Sequence, residues 1–301
     1  MKHIKLLVGV MALIILVLRM ADVSAQNHHQ ENGNEFGERE EIRQTFRLAP
    51  DARVEVSGIQ GSVEIETANI EVAEINIVRS AQSRKDLEEY KIGIKNDSQS
   101  LSIRGETRRS NSGDGFGPDV HHQVKIRLPF SVNLSIKNIA GEVLVGDVGG
   151  NLSVGSVGGS LVIGAVNGRL QINVISGGVT VGQVGGQIEI KSVGGNVKIA
   201  QTVDYLNISV VTGTVSVGIA ALEKRGVEIN SISGQVELQI KDKLNAQLIT
   251  NNVSGKVSIE IPNVTVQSRP NAYAMSALIG KGGSPISINV ITSDVRFVRS
   301  K

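Results

Sequence analysis

Residues 150–158 read GNLSVGSVG, and this nine-residue pattern recurs along the middle of the chain. A frame that starts at Val132 gives eight units and ends at Val203. Aliphatic residues fill 23 of the 24 slots at the third, fifth and eighth positions, and only Thr202 departs. Such self-similarity at a short fixed period is typical of a stacked repeat architecture. Glycine opens the units at positions 141, 150, 159, 168, 177, 186 and 195.

Each unit predicts one short strand followed by a corner. The third and fifth positions are apolar and the fourth usually is not, so a short strand points two apolar side chains inward. The Val and Ile that dominate these positions favour strand. One nonapeptide cannot bury its own apolar side, but stacked units can, with strands about 4.8 Å apart. After Gly195 the glycines that open strand motifs fall at 213, 234 and 255, which favours two strands per coil of 18–21 residues. A coil of three units is the alternative.

The predicted fold class is therefore all-β, a single-stranded right-handed β-helix (β-solenoid) with one short helix around residues 83–90. The paired glycines between units, such as Gly158-Gly159, are interpreted as corners that need a positive φ. On this interpretation Gly159→Val strains the backbone. An aspartate at the inward-facing Val154 should be destructive, whereas one at Ser153 should be tolerated.

The N-terminus predicts export. Lys2 and Lys5 precede a 13-residue apolar run at 6–18, and Val23-Ser-Ala25 offers the small residues of a signal peptidase site. The run is shorter than the roughly 20 residues that a membrane span needs, so we predict a cleaved signal peptide, with an uncleaved anchor as the alternative. Removing residues 1–25 leaves 28 basic and 28 acidic side chains, a balance that gives no indication of nucleic-acid binding.

The chain has no cysteine, which excludes thiol chemistry. Three per cent of its residues are aromatic, which is too few to build a groove on which sugars or bases could stack. No later stretch is apolar enough to span a membrane, so we expect a periplasmic or extracellular protein. The predicted divisions are a signal peptide at 1–25, a disordered linker at 26–41, an N-terminal β segment at 42–131 with a mobile loop at 105–122, the nonapeptide core at 132–203, and irregular coils with closing strands at 204–301.

Three segments carry a resemblance to a known family. They are VEVSGIQGSVEI at 54–65, LPFSVNLSIKNIAGEV at 128–143 and GGSPISI at 282–288, together with the glycine nonapeptides. With these segments, residues 42–299 resemble the adhesin-type bacterial envelope proteins related to the head-GIN domain. The resemblance implies a right-handed β-helix in the cell envelope. It implies no biochemical role for any particular residue.

Candidate chemistry is sparse. The histidine cluster could bind a divalent metal, the glutamates could act as acid and base, and the arginines could meet an acidic polysaccharide or phosphate. We interpret the histidines and arginines as solvated loop residues and the glutamates as the outer face of a hairpin, so no catalytic residue, cofactor or metal is predicted. The clusters are His121-His122 with Asp114 and Asp119; Glu55, Glu64 and Glu66; and Arg104, Arg108 and Arg109.

A partner-binding stripe is predicted from the fourth position of alternate units. With two units per coil, one face carries Leu144, Val162 and Thr180, followed by Lys198. Exposed Leu and Val on neighbouring coils form a docking stripe. The alternatives are that they only satisfy strand propensity, or that an N-terminal segment covers them. The opposite face carries the polar residues Ser135, Ser153, Gln171 and Glu189.

The sequence therefore favours a non-enzymatic, exported cell-envelope protein that acts as an adhesin-like interaction or structural module. Its expected partner is an envelope protein or a surface glycan, and nucleic acid is not expected. A self-associating envelope scaffold is the alternative. A polysaccharide-active β-helix enzyme is less favoured, because residues 141–200 contain six charged side chains and no histidine.

Overall fold

The computed structural model describes residues 37–107, 120–210, 212–269 and 274–300, and within these ranges the chain is all-β, as predicted. Its one helix, α1 (Arg84–Glu89), lies where a short helix was expected, and the Ser83 hydroxyl accepts a hydrogen bond from the Asp86 amide at its N-terminus. The strands before the repeat are β1 (Glu38–Arg47), β2 (Arg53–Ile59), β3 (Gly61–Ala68), β4 (Val72–Ala81), β5 (Tyr90–Asn96), β6 (Ser100–Thr107) and β7 (Val120–Pro129).

The repeat itself forms short strands, and longer strands follow it. The repeat strands are β8 (Asn133–Ile139), β9 (Val143–Val145), β10 (Leu152–Val157), β11 (Leu161–Ile163), β12 (Leu170–Ile175), β13 (Val179–Val184), β14 (Ile188–Val193) and β15 (Val197–Thr202). The later strands are β16 (Leu206–Val210), β17 (Val215–Ile219), β18 (Val227–Ile240), β19 (Ala246–Ser254), β20 (Val257–Glu260), β21 (Val264–Ser268), β22 (Ala274–Ile279) and β23 (Ser284–Arg299).

Two of the predicted irregular segments are partly strand. β1 begins at Glu38, inside the predicted linker 26–41, because it pairs antiparallel with β4. β6 continues to Thr107 and β7 begins at Val120, so both ends of the predicted loop 105–122 belong to strands that pair with β5 and β4. The rest of that loop, the signal peptide and the linker up to residue 36 lie outside the described residues.

Repeat strands pair in parallel with strands 18 residues away, not with their neighbours in sequence. Val154 is aligned with Ile172, and Val162 is aligned with Thr180. Two ladders result from this alternation. The first ladder joins β6, β2, β8, β10, β12, β14 and β16, and the second joins β7, β3, β9, β11, β13, β15 and β17. β18 and β23 are long enough to pair in both ladders, and the strands among the described residues form one sheet of 23.

The stack extends beyond the nonapeptide repeat in both directions. Val54 of β2 is aligned with Leu134 of β8, although the two residues are 80 positions apart in sequence. β2 and β3 therefore join different ladders, and the hairpin expected for Glu55, Glu64 and Glu66 is wrong. The reason is that β3 pairs with β7 and β9 and not with β2. At the other end, both halves of β23 stack on β18.

One continuous apolar core lies between the ladders. The third, fifth and eighth positions of the repeat are buried throughout, and a single cluster of buried side chains extends from Leu48 to Phe297. The polar eighth-position residue Thr202 is buried as well, and the register between β15 and β17 shifts beside it. Burial of each Val, Leu or Ile contributes about 1.5–3 kcal/mol, so the regular slots are the main stabilising element.

The repeat glycines serve a different purpose from the one predicted. No glycine between 141 and 195 has a φ in the left-handed region. A Cβ at Gly159 would lie 2.8 Å from the carbonyl carbon and oxygen of Gly141 in the unit beneath it. Such close approach between stacked corners leaves no room for a side chain. Gly61 and Gly213 stack on the same series of corner glycines at its two ends, and both have a positive φ.

Candidate functional site

The second ladder brings Leu144, Val162 and Thr180 together on its outer side. Leu144 is aligned with Val162 on the next strand, and Val162 with Thr180 on the one after. Leu144 and Val162 are each the middle residue of a three-residue strand, between two buried residues, and both are 37% exposed; Thr180 is exposed between the buried Val179 and Val181. We call these three residues the stripe. Exposed apolar residues on adjacent strands, about 4.8 Å apart, give a continuous contact surface.

Glycines lie beside the stripe on one side, and charged residues lie beyond its two ends. The position two residues after each stripe residue is glycine: Gly146, Gly164 and Gly182. No side chain therefore stands beside the stripe on that side. Beyond Leu144 the next aligned residue is Glu64, and beyond Thr180 it is Lys198.

The first ladder carries a polar column in the corresponding place. Ser135, Ser153, Gln171 and Glu189 are aligned on consecutive strands and are half-buried. Two exposed isoleucines were not anticipated from the sequence: Ile232 of β18 and Ile291 of β23, each nearly half exposed. They lie where these long strands pass from one ladder to the other, so the repeat pattern does not cover them.

Two of the three candidate glutamates, Glu55 and Glu64, are held in ion pairs. The Glu55 carboxylate lies 3.1 Å from Lys137 Nζ and 3.3 Å from Arg104 Nη2. The hydrogen bond from Lys137 is the main reason that the pKa of Glu55 is lowered. Glu64 on the second ladder lies 2.9 Å from Lys125 Nζ, and this contact raises the pKa of Lys125. The Glu55 carboxylate is therefore stabilised in its charged form and is poorly suited to act as a general acid.

The two candidate histidines do not form a shared site. Both belong to β7, where successive side chains point to opposite sides, so His121 is exposed and His122 is buried. The interpretation of both as solvated loop residues is therefore wrong for His122. Asp114, Asp119, Arg108 and Arg109 lie outside the described residues. Within the described part of the chain, no group of three or more His, Asp or Glu could hold a metal ion.

His122 belongs to a buried polar corner beneath helix α1. Its Nδ1 lies 3.0 Å from the carbonyl oxygen of Gln60, and its ring centroid is 4.9 Å from that of Tyr90. The Tyr90 hydroxyl donates to the Gly58 carbonyl. The buried Arg79 donates to the carbonyl groups of Leu87 and Tyr90 at the end of α1 and contacts Glu40 at 2.6 Å. This corner therefore attaches the helix to the sheet.

An alternation in the sequence could have located this corner. Val120, Val124, Ile126 and Leu128 are all buried, and His122 occupies the same register in β7. No pattern of comparable clarity indicates Arg79, because its role depends on a helix terminus brought close by the fold.

His122 should make stability pH-dependent. Burial, assisted by Arg79 and His121, lowers the pKa of His122 to about 4, whereas an unfolded histidine has a pKa near 6.5. The unfolded state therefore binds more protons below pH 6.5. We expect full stability above this pH and a progressive loss towards pH 4, of up to about 3 kcal/mol. Urea unfolding at pH 7.5 and 4.5 measures it.

The control for this measurement is a pair of asparagine variants. His122→Asn keeps a donor near the position of Nδ1 and removes the titration, so its stability should change little between the two pH values. His121→Asn, on the exposed side of the same strand, should retain the wild-type loss. An unchanged pH dependence in His122→Asn would contradict the assignment.

Comparisons with known proteins give no family for the chain. Neither the protein-family models nor the curated proteins contain a match. The helix found among the described residues is too short to cross a membrane. The head-GIN relationship inferred from the sequence therefore stays a prediction.

Solved structures do show similarity, at low identity. The chain is similar to a "putative adhesin" from Parabacteroides merdae, with 10% identity over 86% of this chain and 96% of that one and a TM-score of 0.40. A "putative adhesin" from Parabacteroides distasonis shows 12% identity over 86% and 97%, with a TM-score of 0.35. A "putative lipid binding protein" from the same species shows 12% identity over 89% and 98%, with a TM-score of 0.30.

Proposed function

We propose that this chain is an exported, non-enzymatic protein of the bacterial cell envelope that acts as an adhesin-like interaction module. The observation that carries the proposal is the stripe, with its aligned and exposed Leu144 and Val162. A soluble β protein normally places polar residues on the outer side of its strands, as the first ladder does at the fourth repeat position with Ser135, Ser153 and Gln171. Apolar residues at the equivalent position of the second ladder indicate a surface that contacts a partner.

The chemistry of the titratable groups supports a binding role over a catalytic one. The pKa of Glu55 is lowered by its two cationic partners, and the pKa of His122 is lowered by burial. General acid–base catalysis needs groups that face a substrate and titrate near the working pH. Glu55 and His122 instead hold neighbouring strands and the helix in place.

The proposed architecture is a right-handed β-helix with two strands per coil. The 18-residue offset between paired strands supports two nonapeptides per coil. The right hand is expected because a connection between parallel strands of one sheet is right-handed in about 98% of cases. Export follows from the N-terminal sequence, and the protein would act in the periplasm or at the cell surface with an envelope protein or a surface glycan as its partner.

Substitution of the stripe should abolish binding to the envelope and leave the fold intact. Leu144→Lys with Val162→Lys adds two charges to a surface that is already exposed, so the melting temperature should be close to that of the wild type. Binding of the labelled protein to envelopes of the producing cell should fall about tenfold, because charged groups would have to lose water on contact.

The exported form should begin at Gln26, which N-terminal sequencing of that form measures.

A matched control lies on the opposite ladder. Ser153 and Gln171 occupy the same repeat position on aligned neighbouring strands, so Ser153→Lys with Gln171→Lys adds the same charge to the other face. This pair should bind like the wild type. Equal binding by all three proteins would exclude the stripe, and an unfolded Leu144→Lys, Val162→Lys variant would show that the stripe is buried.

A further inference from the structure

The outward residues around the stripe form a column whose charges are arranged symmetrically about Val162. Five consecutive strands of the second ladder place these residues in register. Glu64 lies two strands before Val162, and Lys198 lies two strands after it. These five positions span about 19 Å at the usual strand spacing, and the ladder continues to Lys125 beside Glu64 and to Ser216 beside Lys198. In order, the column is Glu64, Leu144, Val162, Thr180 and Lys198.

This column is complementary to itself when its direction is reversed. Consider two copies packed face to face about a two-fold axis that runs along the strand direction between them. The order of strands in the second copy is then reversed relative to the first. Val162 meets Val162 at the centre, Leu144 meets Thr180, and Glu64 meets Lys198 twice. Within these five positions each charge faces its opposite, and the next residue, Lys125, faces the uncharged Ser216, so the arrangement is favoured electrostatically.

The other face-to-face arrangement is disfavoured. A two-fold axis along the stacking direction keeps the order of strands, so Glu64 would face Glu64 and Lys198 would face Lys198. Like charges set against each other oppose association. The carboxylate of Glu64 contacts Lys125 through Oε2, and its side chain is about one-third exposed, so it is accessible to a second cation. Within the described residues, Lys198 has no salt bridge of its own.

We propose that the stripe binds a second copy of this chain, packed face to face with the two stacks antiparallel. The proposal rests on the proposed function and names the partner of its binding surface. The glycines beside the stripe allow the centres of the two faces to approach closely, as in packed sheets. A contact centred on a column of about 19 Å is small by the standards of permanent dimers, so we expect a reversible dimer with a Kd on the order of micromolar.

Charge exchange tests the arrangement by sedimentation equilibrium of the exported protein. Glu64→Lys alone sets two cations against each other at both ends of the contact, and Lys198→Glu alone sets two carboxylates against each other there. Each variant should dimerise about tenfold more weakly than the wild type. An equimolar mixture of the two variants should recover the wild-type affinity, because both contacts in the mixed dimer then pair opposite charges. The double variant Glu64→Lys, Lys198→Glu should recover it as well.

Two control variants separate this effect from a general change in charge. Glu66→Lys changes the same strand two residues away, where the reversed order places the uncharged Ala200 opposite, so it should dimerise like the wild type. Lys191→Glu lies on the first ladder and should also have no effect. Because Glu64→Lys places two lysines side by side, Glu64→Gln serves as a second variant, and melting temperatures verify that each protein is folded.

The outcomes distinguish this proposal from the function on which it rests. A wild-type protein that is monomeric up to millimolar concentration overturns the dimer, and so does a mixture of variants that fails to recover affinity. If the stripe variant then still loses envelope binding, the interaction module stands with a different partner. If dimerisation follows the charge exchange but envelope binding does not depend on the stripe, the surface serves self-association alone.

Discussion

Val154→Asp should unfold the repeat, whereas Ser153→Asp should leave its stability almost unchanged. The Val154 side chain is fully buried and is aligned with the buried Ile136 and Ile172 on the neighbouring strands. A carboxylate at this point has no partner to replace the water that it loses, and the expected loss in free energy of unfolding is about 4 kcal/mol or more.

The adjacent residue provides the control. Ser153 points to the outer side of the same strand, where its aligned neighbours are Ser135 and Gln171. An aspartate there keeps its hydration and should change the free energy of unfolding by less than about 0.5 kcal/mol. Chemical denaturation of the two variants measures the difference. Similar losses in both would show that the inward and outward sides of β10 are wrongly assigned.

Gly177→Ala should destabilise the protein strongly, and Gly178→Ala, one residue later, should not. A Cβ at Gly177 would lie 2.7 Å from the carbonyl oxygen of Gly159 and 2.9 Å from the amide nitrogen of Ser160. These are backbone atoms of the stacked corner beneath, so the whole unit has to shift. Overpacking of this kind costs about 1–3 kcal/mol.

The control variant removes a glycine from the same corner without this clash. The nearest atom to a Cβ at Gly178 is the carbonyl oxygen of Asn196, at 3.5 Å, which is an ordinary contact. The φ of Gly178 is not in the left-handed region, so an alanine there should be neutral or stabilise the protein by up to about 1 kcal/mol. Thermal melts compare the two variants. If Gly178→Ala were as damaging as Gly177→Ala, stacking distance would not explain the regular step of nine within this repeat.

Much of the candidate surface could be deduced from local pattern. The fourth position of the repeat lies between two inward positions, so the sequence alone indicated that Leu144, Val162 and Thr180 point outward. Their alignment followed from the assumption of two units per coil. By contrast, the sequence could not indicate that Glu64 of β3 continues the same column, because β3 and β9 are separated by several strands and a helix in the chain.

The corner glycines and His122 illustrate the same limit. A glycine at every ninth position indicated a constraint, but positive φ and close stacking both explain it, and only the distances between stacked corners distinguish the two. For His122, a run of polar residues suggested a loop. Pairing of β7 with both β3 and β4 makes it a strand with a buried histidine.

The sequence by itself determined the all-β class, the inward positions and the outward stripe, because alternation along a strand is a local property of the chain. Tertiary structure decided which strands became neighbours. It placed Val54 against Leu134 and Val227 against Ile286, and it joined the repeat to its flanks in one stack. Pairing between distant segments depends on the free energy of the whole core and on chain connectivity, and neither can be deduced from nine consecutive residues.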